Sequence, residues 1–244
     1  MTTIKGVLFD FSGTLMRIES AESWLRAALD AAGTAMDDAE LVRRAAALER
    51  AGALPGGASP ARLPDDLAGL WEIRDSDAVH HRALYTGLAR QVPLPRPELY
   101  DALYDRHMTP EAWSPYPDAA EVLARLHGDG IRIGLLSNIG WDLRPVLRAH
   151  DLDRYIDHCI LSFEHGIQKP DPELFALACE ALGPAPSKVL MVGDDRTADG
   201  AATALGCAYL PVDHLPVERR PDGLRPVLEL VGRSAEGGRG AGHR

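Results

Sequence analysis

The chain has 244 residues, 45% of them apolar, which is enough for one α/β domain carrying a smaller insert around a true hydrophobic core. A net charge of −10 excludes the broad basic face that nucleic-acid binding requires, so any anionic ligand must be attracted locally. Three scattered cysteines without a Cys-x-x-Cys pair indicate neither a disulfide framework nor a zinc site. With no basic-then-apolar leader and no stretch near ~20 apolar residues, the expectation is a soluble cytoplasmic protein that binds neither nucleic acid nor membrane.

The stretch VLFDFSGTLM (7–16) begins with an apolar run too short for a helix. Val7-Leu8-Phe9 reads as a buried strand with Asp10 at its carboxyl end, where ligands gather in open parallel sheets. Gly13 permits a sharp turn, and peptide N–H groups at Gly13 and Thr14 would then be free to face an anion. Read alone, the stretch fits an ordinary strand-to-turn junction with a solvated aspartate equally well.

From Ser20 to His107 the pattern is helical. Trp24, Leu25, Ala28, Leu29 and Ala32 recur at helix spacing, followed by Leu41, Ala45 and Leu48, then Leu67, Leu70 and Trp71. GALPGGASPARLP (52–64) is expected as a loop between helices, and Pro93, Pro95 and Pro97 mark another break. Trp24, Trp71, Arg74, His80, His81 and Tyr85 could face a substrate or fill the core of this block.

Beyond Trp113 the alternation changes to helix and strand. DAAEVLARLHGDG forms an amphipathic helix closed by glycines, and strands follow at IRIGLLS, HCILS, KVLMVG and CAYLPV. Helices are expected over about 142–149, 172–182 and 197–205, the second with Asp171 as N-cap and Pro172 at its first position. Right-handed βαβ crossovers would place the strands in one Rossmann-like parallel sheet with their carboxyl ends together. The tail RSAEGGRGAGHR (233–244) has no apolar pattern and is expected to be disordered.

The strand ends then converge. Asp10 closes the first strand, Ser137 and Asn138 close IGLLS, and Asp194, Asp195 and Asp199 follow VLMVG, while Lys169 stands in GIQKPDPELF just before a helix. Two like charges ~4 Å apart repel by roughly 4 kcal/mol at an effective dielectric of about 20, so convergent carboxylates call for a cation. A hard, oxygen-seeking Mg²⁺ suits them, with Lys169 as a second positive charge. Each group also has a plainer reading: an acidic turn before a helix, a Ser-Asn helix cap, a solvated lysine.

DFSGTL, LLSN, QKPDPELF and VGDDRTADGA, in that order, resemble the four signature motifs of the haloacid dehalogenase superfamily, most of whose members are Mg²⁺-dependent phosphatases. The core resemblance spans residues 4–19 and about 113–211. It implies a catalytic core over 1–19 and 113–232 with a helical cap inserted at 20–112. It also implies that Asp10 is a nucleophile forming an aspartyl-phosphate, that Ser137 binds the phosphoryl group, and that Lys169 neutralises both. Asp194 would hold Mg²⁺ beside Asp10 and the carbonyl of Ser12, with Asp195 and Asp199 supporting the metal. Arg17 and Trp141, directly after the first and second motifs, are expected near the cleft with Gly13, Thr14 and Asn138.

Ser12 departs from the phosphatase pattern, which has a second aspartate there to protonate the leaving oxygen and activate water, help worth typically 10²- to 10⁴-fold. Phosphonoacetaldehyde hydrolase resembles this architecture and lacks that aspartate, but it uses a cap lysine, and no lysine lies between Lys5 and Lys169. Haloacid dehalogenases also lack it, yet need no metal and no acidic pair in the fourth motif. The expectation is therefore a phosphatase for a small phosphorylated metabolite, slowed by Ser12 at release of phosphate from Asp10. A weak phosphate-ligand binding or regulatory protein is the alternative, and 2-haloacid dehalogenation a minor one. No oligomeric state is indicated.

Overall fold

The structure is a computed structural model that describes residues 3–239, with side chains described to residue 232. Strands β1 (Gly6–Phe9) and β2 (Met16–Ile18) precede five helices, α1 (Ala21–Ala31), α2 (Asp38–Arg50), α3 (Ala68–Ile73), α4 (Ala78–Ala89) and α5 (Glu98–His107). Then come β3 (Trp113–Pro115), α6 (Ala119–Gly128), β4 (Arg132–Ser137), α7 (Arg144–Ala149), β5 (His158–Leu161) and α8 (Ser162–His165). The chain continues through α9 (Pro172–Leu182), β6 (Val189–Gly193), β7 (Ala208–Pro211) and α10 (Arg225–Arg239).

Five strands form one parallel sheet in the order β5-β4-β1-β6-β7. All four residues of β1 are buried, which is why this strand is continuously apolar and sits at the centre. The chain builds β4 and β5 on one side of β1, then returns to add β6 and β7 on the other. The order thus reverses beside β1, and a crevice opens outside the carboxyl ends of β1, β4 and β6.

One apolar cluster, with Leu8, Leu136, Phe175 and Met191, covers one face of the sheet. The other starts from Val7, Phe9 and Leu135 and runs without interruption through Phe11 and Trp113 into Trp24, Leu25, Leu41 and Leu84 of the helical block. Trp24 belongs to this core, its indole N–H donating to the Leu103 carbonyl at 2.8 Å. The expected strands and helices of the α/β part appear within two residues of their predicted bounds, except the helix expected over 197–205.

The short antiparallel pair β2–β3 was not expected. It joins the two passages into and out of the helical block, with Arg17 opposite Ser114. Residues 197–205 do not form an α-helix. Asp195 to Asp199 make a turn, closed by Asp199 N–H donating to the Asp195 carbonyl at 2.8 Å, and only a 3-10 segment Gly200–Leu205 follows. At the C-terminal end, α10 runs to Arg239, into the tail expected to be disordered from 233, and residues 240–244 lie outside the described residues. Leu224, Val227 and Val231 are buried, and Asp118 Oδ2 accepts from the Leu224 and Arg225 N–H groups at 2.7 and 3.2 Å, which starts this helix against the α6 end. No helix among the described residues is long and apolar enough to cross a membrane.

Arg220 holds the turn after Asp10 from behind. Its guanidinium donates to the carbonyls of Gly13 and Asp213 at 2.5 and 3.0 Å and to that of Thr14, and it lies 3.2 Å from the centroid of the Tyr116 ring. Tyr116 in turn donates its N–H to the Leu15 carbonyl at 3.0 Å. Because the Gly13 and Thr14 carbonyls are buried, replacing Arg220 with methionine leaves them without these donors. Arg220→Met is expected to lower stability by about 2–3 kcal/mol in urea unfolding, and a loss below about 0.5 kcal/mol would remove this role.

Candidate active site

The site is organised around one buried ammonium. Lys169 Nζ donates to Asp10 Oδ1 at 2.8 Å, Asp199 Oδ1 at 2.6 Å and the Leu136 carbonyl at 3.1 Å, so all three of its N–H bonds are used. Asp10 follows β1, Asp199 lies in the turn after β6, and Leu136 is on β4, so the lysine ties the ends of three adjacent strands. Asn138 fixes the backbone at Lys169: its amide donates to the Lys169 carbonyl at 2.8 Å and accepts from the Lys169 N–H at 2.6 Å. Each polar end of Asn138 makes one bond there, so it positions the lysine backbone, while the residue also lines the cavity over Asp10.

Asp194 adds a third carboxylate, and one oxygen from each of Asp10, Asp194 and Asp199 lies within 4.8 Å of the others. Thr14 Oγ1 stands 3.5 Å from Asp194 Oδ1, and His214 Nδ1 lies 2.7 Å from Asp194 Oδ2. Burial, opposed by the Lys169 ammonium and reinforced by Asp199 and Asp194, pushes the Asp10 carboxyl up to about 8. Burial also raises Asp199, though Lys169 works against it. For Asp194 burial is outweighed by His214, which holds the carboxyl below the usual range. Burial opposes the charge on Lys169 too, yet Asp10 and Asp199 outweigh it, and its pKa is raised.

Three carboxylates thus face one fully engaged ammonium. An all-oxygen donor set with surplus negative charge suits a hard divalent cation such as Mg²⁺. Asp195, expected to support the metal, is outside this cluster. It is exposed, and its Oδ1 accepts from the Thr197 and Ala198 N–H groups at 2.8 and 2.9 Å, closing its own turn. Its backbone N–H, donating to Asp199 Oδ2 at 3.0 Å, is what reaches the site.

A cavity of about 730 Å³ lies over Asp10, with Ser12, Ser137, Lys169, Asp194 and Asp199 at its floor. Its roof comes from the helical block: Gly56 in the 52–64 loop, and Trp71, Arg74, Asp75, His81 and Tyr85 around the α3–α4 turn. Ser12 Oγ donates to the Gly56 carbonyl at 3.3 Å. Gly56 has φ +77°, and a Cβ there would stand 2.8 Å from Ser12 Oγ and 2.7 Å from the Trp113 ring, so only glycine lets the loop approach this closely. Trp141 also lines the cavity, packed edge-on to Phe11 and His107.

Four residues weighed as ligand contacts, Gly13, Thr14, Arg17 and His80, make other contacts. Gly13 N–H donates to the Met16 carbonyl at 2.8 Å and Thr14 N–H to that of Phe11 at 3.4 Å, so the turn consumes the donors that were expected to face an anion. Arg17, carried away on β2, lines a different cavity with Glu49 and Ser114, and its Nη1 is buried without a partner. His80 stays outside, beside Asp77 and Ser76. Conversely, the sequence reading passed over four residues: Asp75, His214 and Gly56 carry no motif signal, and Gln168, although it opens QKPDPELF, shows its role only through what it touches.

Comparison with known proteins agrees with the geometry. Residues 4–205 match the haloacid dehalogenase-like hydrolase family. The (S)-2-haloacid dehalogenase 4A of Burkholderia cepacia is 31% identical over 206 residues, 84% of this chain and 80% of that protein. The phosphoglycolate phosphatase of Salmonella paratyphi A is 28% identical over 212 residues, 85% and 80% of the two chains. Among solved structures, a dehalogenase with a TM-score of 0.65 and 24% identity covers 94% of this chain and 98% of its own, a likeness of fold. With this match over most of its length and an α/β parallel-sheet core of the same fold, the chain belongs to the haloacid dehalogenase-like hydrolases.

Proposed function

We propose that this hydrolase is a Mg²⁺-dependent phosphatase that cleaves a small phosphate monoester through an aspartyl-phosphate on Asp10. The observation that carries the reading is the cluster of three carboxylates around the Lys169 ammonium, an excess of negative charge that would repel a phosphate unless a cation were bound. Asp10, Asp194 and Asp199, with the Ser12 carbonyl that the family resemblance adds, would hold the ion. Bound Mg²⁺ would offset the surplus charge and allow a phosphate dianion to approach Asp10.

The chain's own groups do the rest. An Asp10 oxygen attacks phosphorus as the bond to the substrate oxygen breaks, and Lys169 holds that carboxylate in place and neutralises it. Ser137, buried at the end of β4 and lining the cavity, would donate to a phosphoryl oxygen. Water then attacks the aspartyl-phosphate and returns Asp10. Ser12 has no useful pKa for acid–base work, and its hydroxyl is committed to the Gly56 carbonyl. A cavity of about 730 Å³ suits a small metabolite.

A second reading, 2-haloacid dehalogenation by the same Asp10 nucleophile, is favoured by the 31% identity to the Burkholderia dehalogenase and by the absence of a carboxylate at position 12. The acidic cluster argues against it, because that reaction involves no phosphate and needs no metal.

Asp10→Asn keeps the shape of the side chain and removes its nucleophilicity. It is expected to abolish turnover with an unchanged circular dichroism spectrum, and comparable rates in the mutant would sink the covalent mechanism. Acid-quenched wild-type protein incubated with a labelled phosphate monoester should carry label on Asp10. Chelation with EDTA is expected to stop phosphatase activity, and Asp194→Ala to weaken Mg²⁺ binding in calorimetry by about 10-fold or more. Full activity on a 2-haloacid in EDTA would select the dehalogenase reading instead.

A further inference from the structure

With a serine at position 12, the site still needs a group that protonates the leaving oxygen and later takes a proton from water. The polar side chains around the cavity narrow the choice. Glu72 and Asp195 are exposed, the latter closing its own turn, and His214 is paired with Asp194. Asp75 differs from all of these. It lies in the cavity roof, it is 4% exposed, and it belongs neither to the carboxylate cluster nor to any of the four motifs.

Its position is set by the catalytic core rather than by the helical block that carries it. Asp75 N–H donates to Gln168 Oε1 at 3.1 Å, and Gln168 Nε2 donates to the Glu72 carbonyl at 3.0 Å, so the turn is pinned to the residue beside Lys169. Ser162 Oγ donates to the Asp75 carbonyl at 2.5 Å and accepts the Ile139 N–H at 2.8 Å, pinning it also to the segment after β4. The side chain is held in turn: Arg74 Nε lies 3.3 Å from Oδ2, and His81 Nε2 lies 3.8 Å from Oδ1, while His81 Nδ1 is 2.7 Å from the Tyr104 hydroxyl. A Cβ on Gly140 would stand 2.2 Å from that of His81, so the core backbone presses directly on this network.

We propose that Asp75 is the general acid and base of the phosphatase reaction, supplied from the helical insert in place of the carboxylate that Ser12 lacks. The proposal rests on the phosphatase reading. In the first step an Asp10 oxygen bonds to phosphorus, the bond from phosphorus to the substrate oxygen breaks, and that oxygen takes the Asp75 proton to leave as an alcohol. In the second, the Asp75 carboxylate takes a proton from water as the water oxygen bonds to phosphorus. The bond to Asp10 breaks, and hydrogen phosphate and the free Asp10 carboxylate result. Asp75 is then protonated again, ready for the next turnover. Burial raises its carboxyl pKa, opposed by Arg74 and Lys169, which suits a group that must hold a proton in the resting site. The charged and titratable groups facing it are Arg74, Lys169, His81, Tyr85 and Tyr104.

The test uses the full-length protein with Mg²⁺ and two substrates, an alkyl phosphate and p-nitrophenyl phosphate, whose leaving group needs no proton. Asp75→Asn should slow alkyl phosphate turnover by about 10²- to 10⁴-fold. With p-nitrophenyl phosphate it should leave the burst of p-nitrophenolate largely intact, slow the steady state, and raise the phosphate found on Asp10 after acid quench. Adding Ser12→Asp to Asp75→Asn should restore turnover, because the second carboxylate then returns at the other position. A merely structural role would instead reduce burst and steady state together and show no rescue, and that result overturns the proposal, as does Asp75→Asn turning over at the wild-type rate. Leaving-group dependence in the wild type gives an answer that needs no folded variant: shallow dependence on leaving-group pKa supports the proposal, and steep dependence overturns it. A wild-type protein that hydrolyses no phosphate monoester removes the phosphatase reading and this inference with it, whereas an unaffected Asp75→Asn removes this inference alone.

Discussion

The ammonium of Lys169 is the constraint on which the rest of the site depends. A carboxylate as buried as Asp10 or Asp199 is unfavourable without a partner, and one lysine serves both, at 2.8 and 2.6 Å. Removing one member of such a buried ion group typically costs about 3–5 kcal/mol, because the charges left behind have no compensation. Much of the surrounding architecture keeps that ammonium in place. The Asn138 amide brackets the Lys169 backbone, the Leu136 carbonyl takes the third proton, and the parallel order of β4, β1 and β6 brings the three strand ends within reach of one side chain.

The helical block completes the site rather than merely covering it. Its apolar interior is continuous with one face of the sheet, so the insert and the core share a single packed cluster. At two places its backbone reaches the reacting end of the sheet: Gly56 over Ser12, and the turn around Asp75 beside Gln168 and Ser162. These contacts are polar and lie at the cavity rim, while the apolar packing lies behind them. Such an arrangement fixes groups from two separate stretches of chain around one small volume.

Family membership and chemistry are distinct matters here. Relatives of similar identity include both dehalogenases and phosphatases. Three carboxylates around one ammonium leave an excess of negative charge that suits a cation, and the phosphatase proposal rests on this feature, whereas Ser12 and the identity to the Burkholderia dehalogenase favour the other reading. The two signals conflict only if the proton-transferring group must come from the first motif; a carboxylate from the insert reconciles them.

The sequence by itself determined the parallel sheet, because short apolar runs separated by helical periodicity leave few other arrangements, and it marked Asp10, Ser137, Lys169, Asp194 and Asp199 as residues at strand ends and turns. Those positions follow from local pattern and motif order, which act over a few residues. Local pattern could not say that Asp195 closes its own turn, that Asn138 serves the lysine backbone, or that the Gly13 turn uses up its own N–H groups, since each depends on a hydrogen-bond partner chosen after folding. Nor could it separate Arg17, turned away on β2, from Arg74 and Asp75, which reach the cavity from a helical block whose pattern records only its own core. Only the tertiary structure decided which face of that block meets Asp10, because the contacts that orient it, Asp75 with Gln168 and Ser162 and Ser12 with Gly56, join residues 44 to 93 positions apart in the chain.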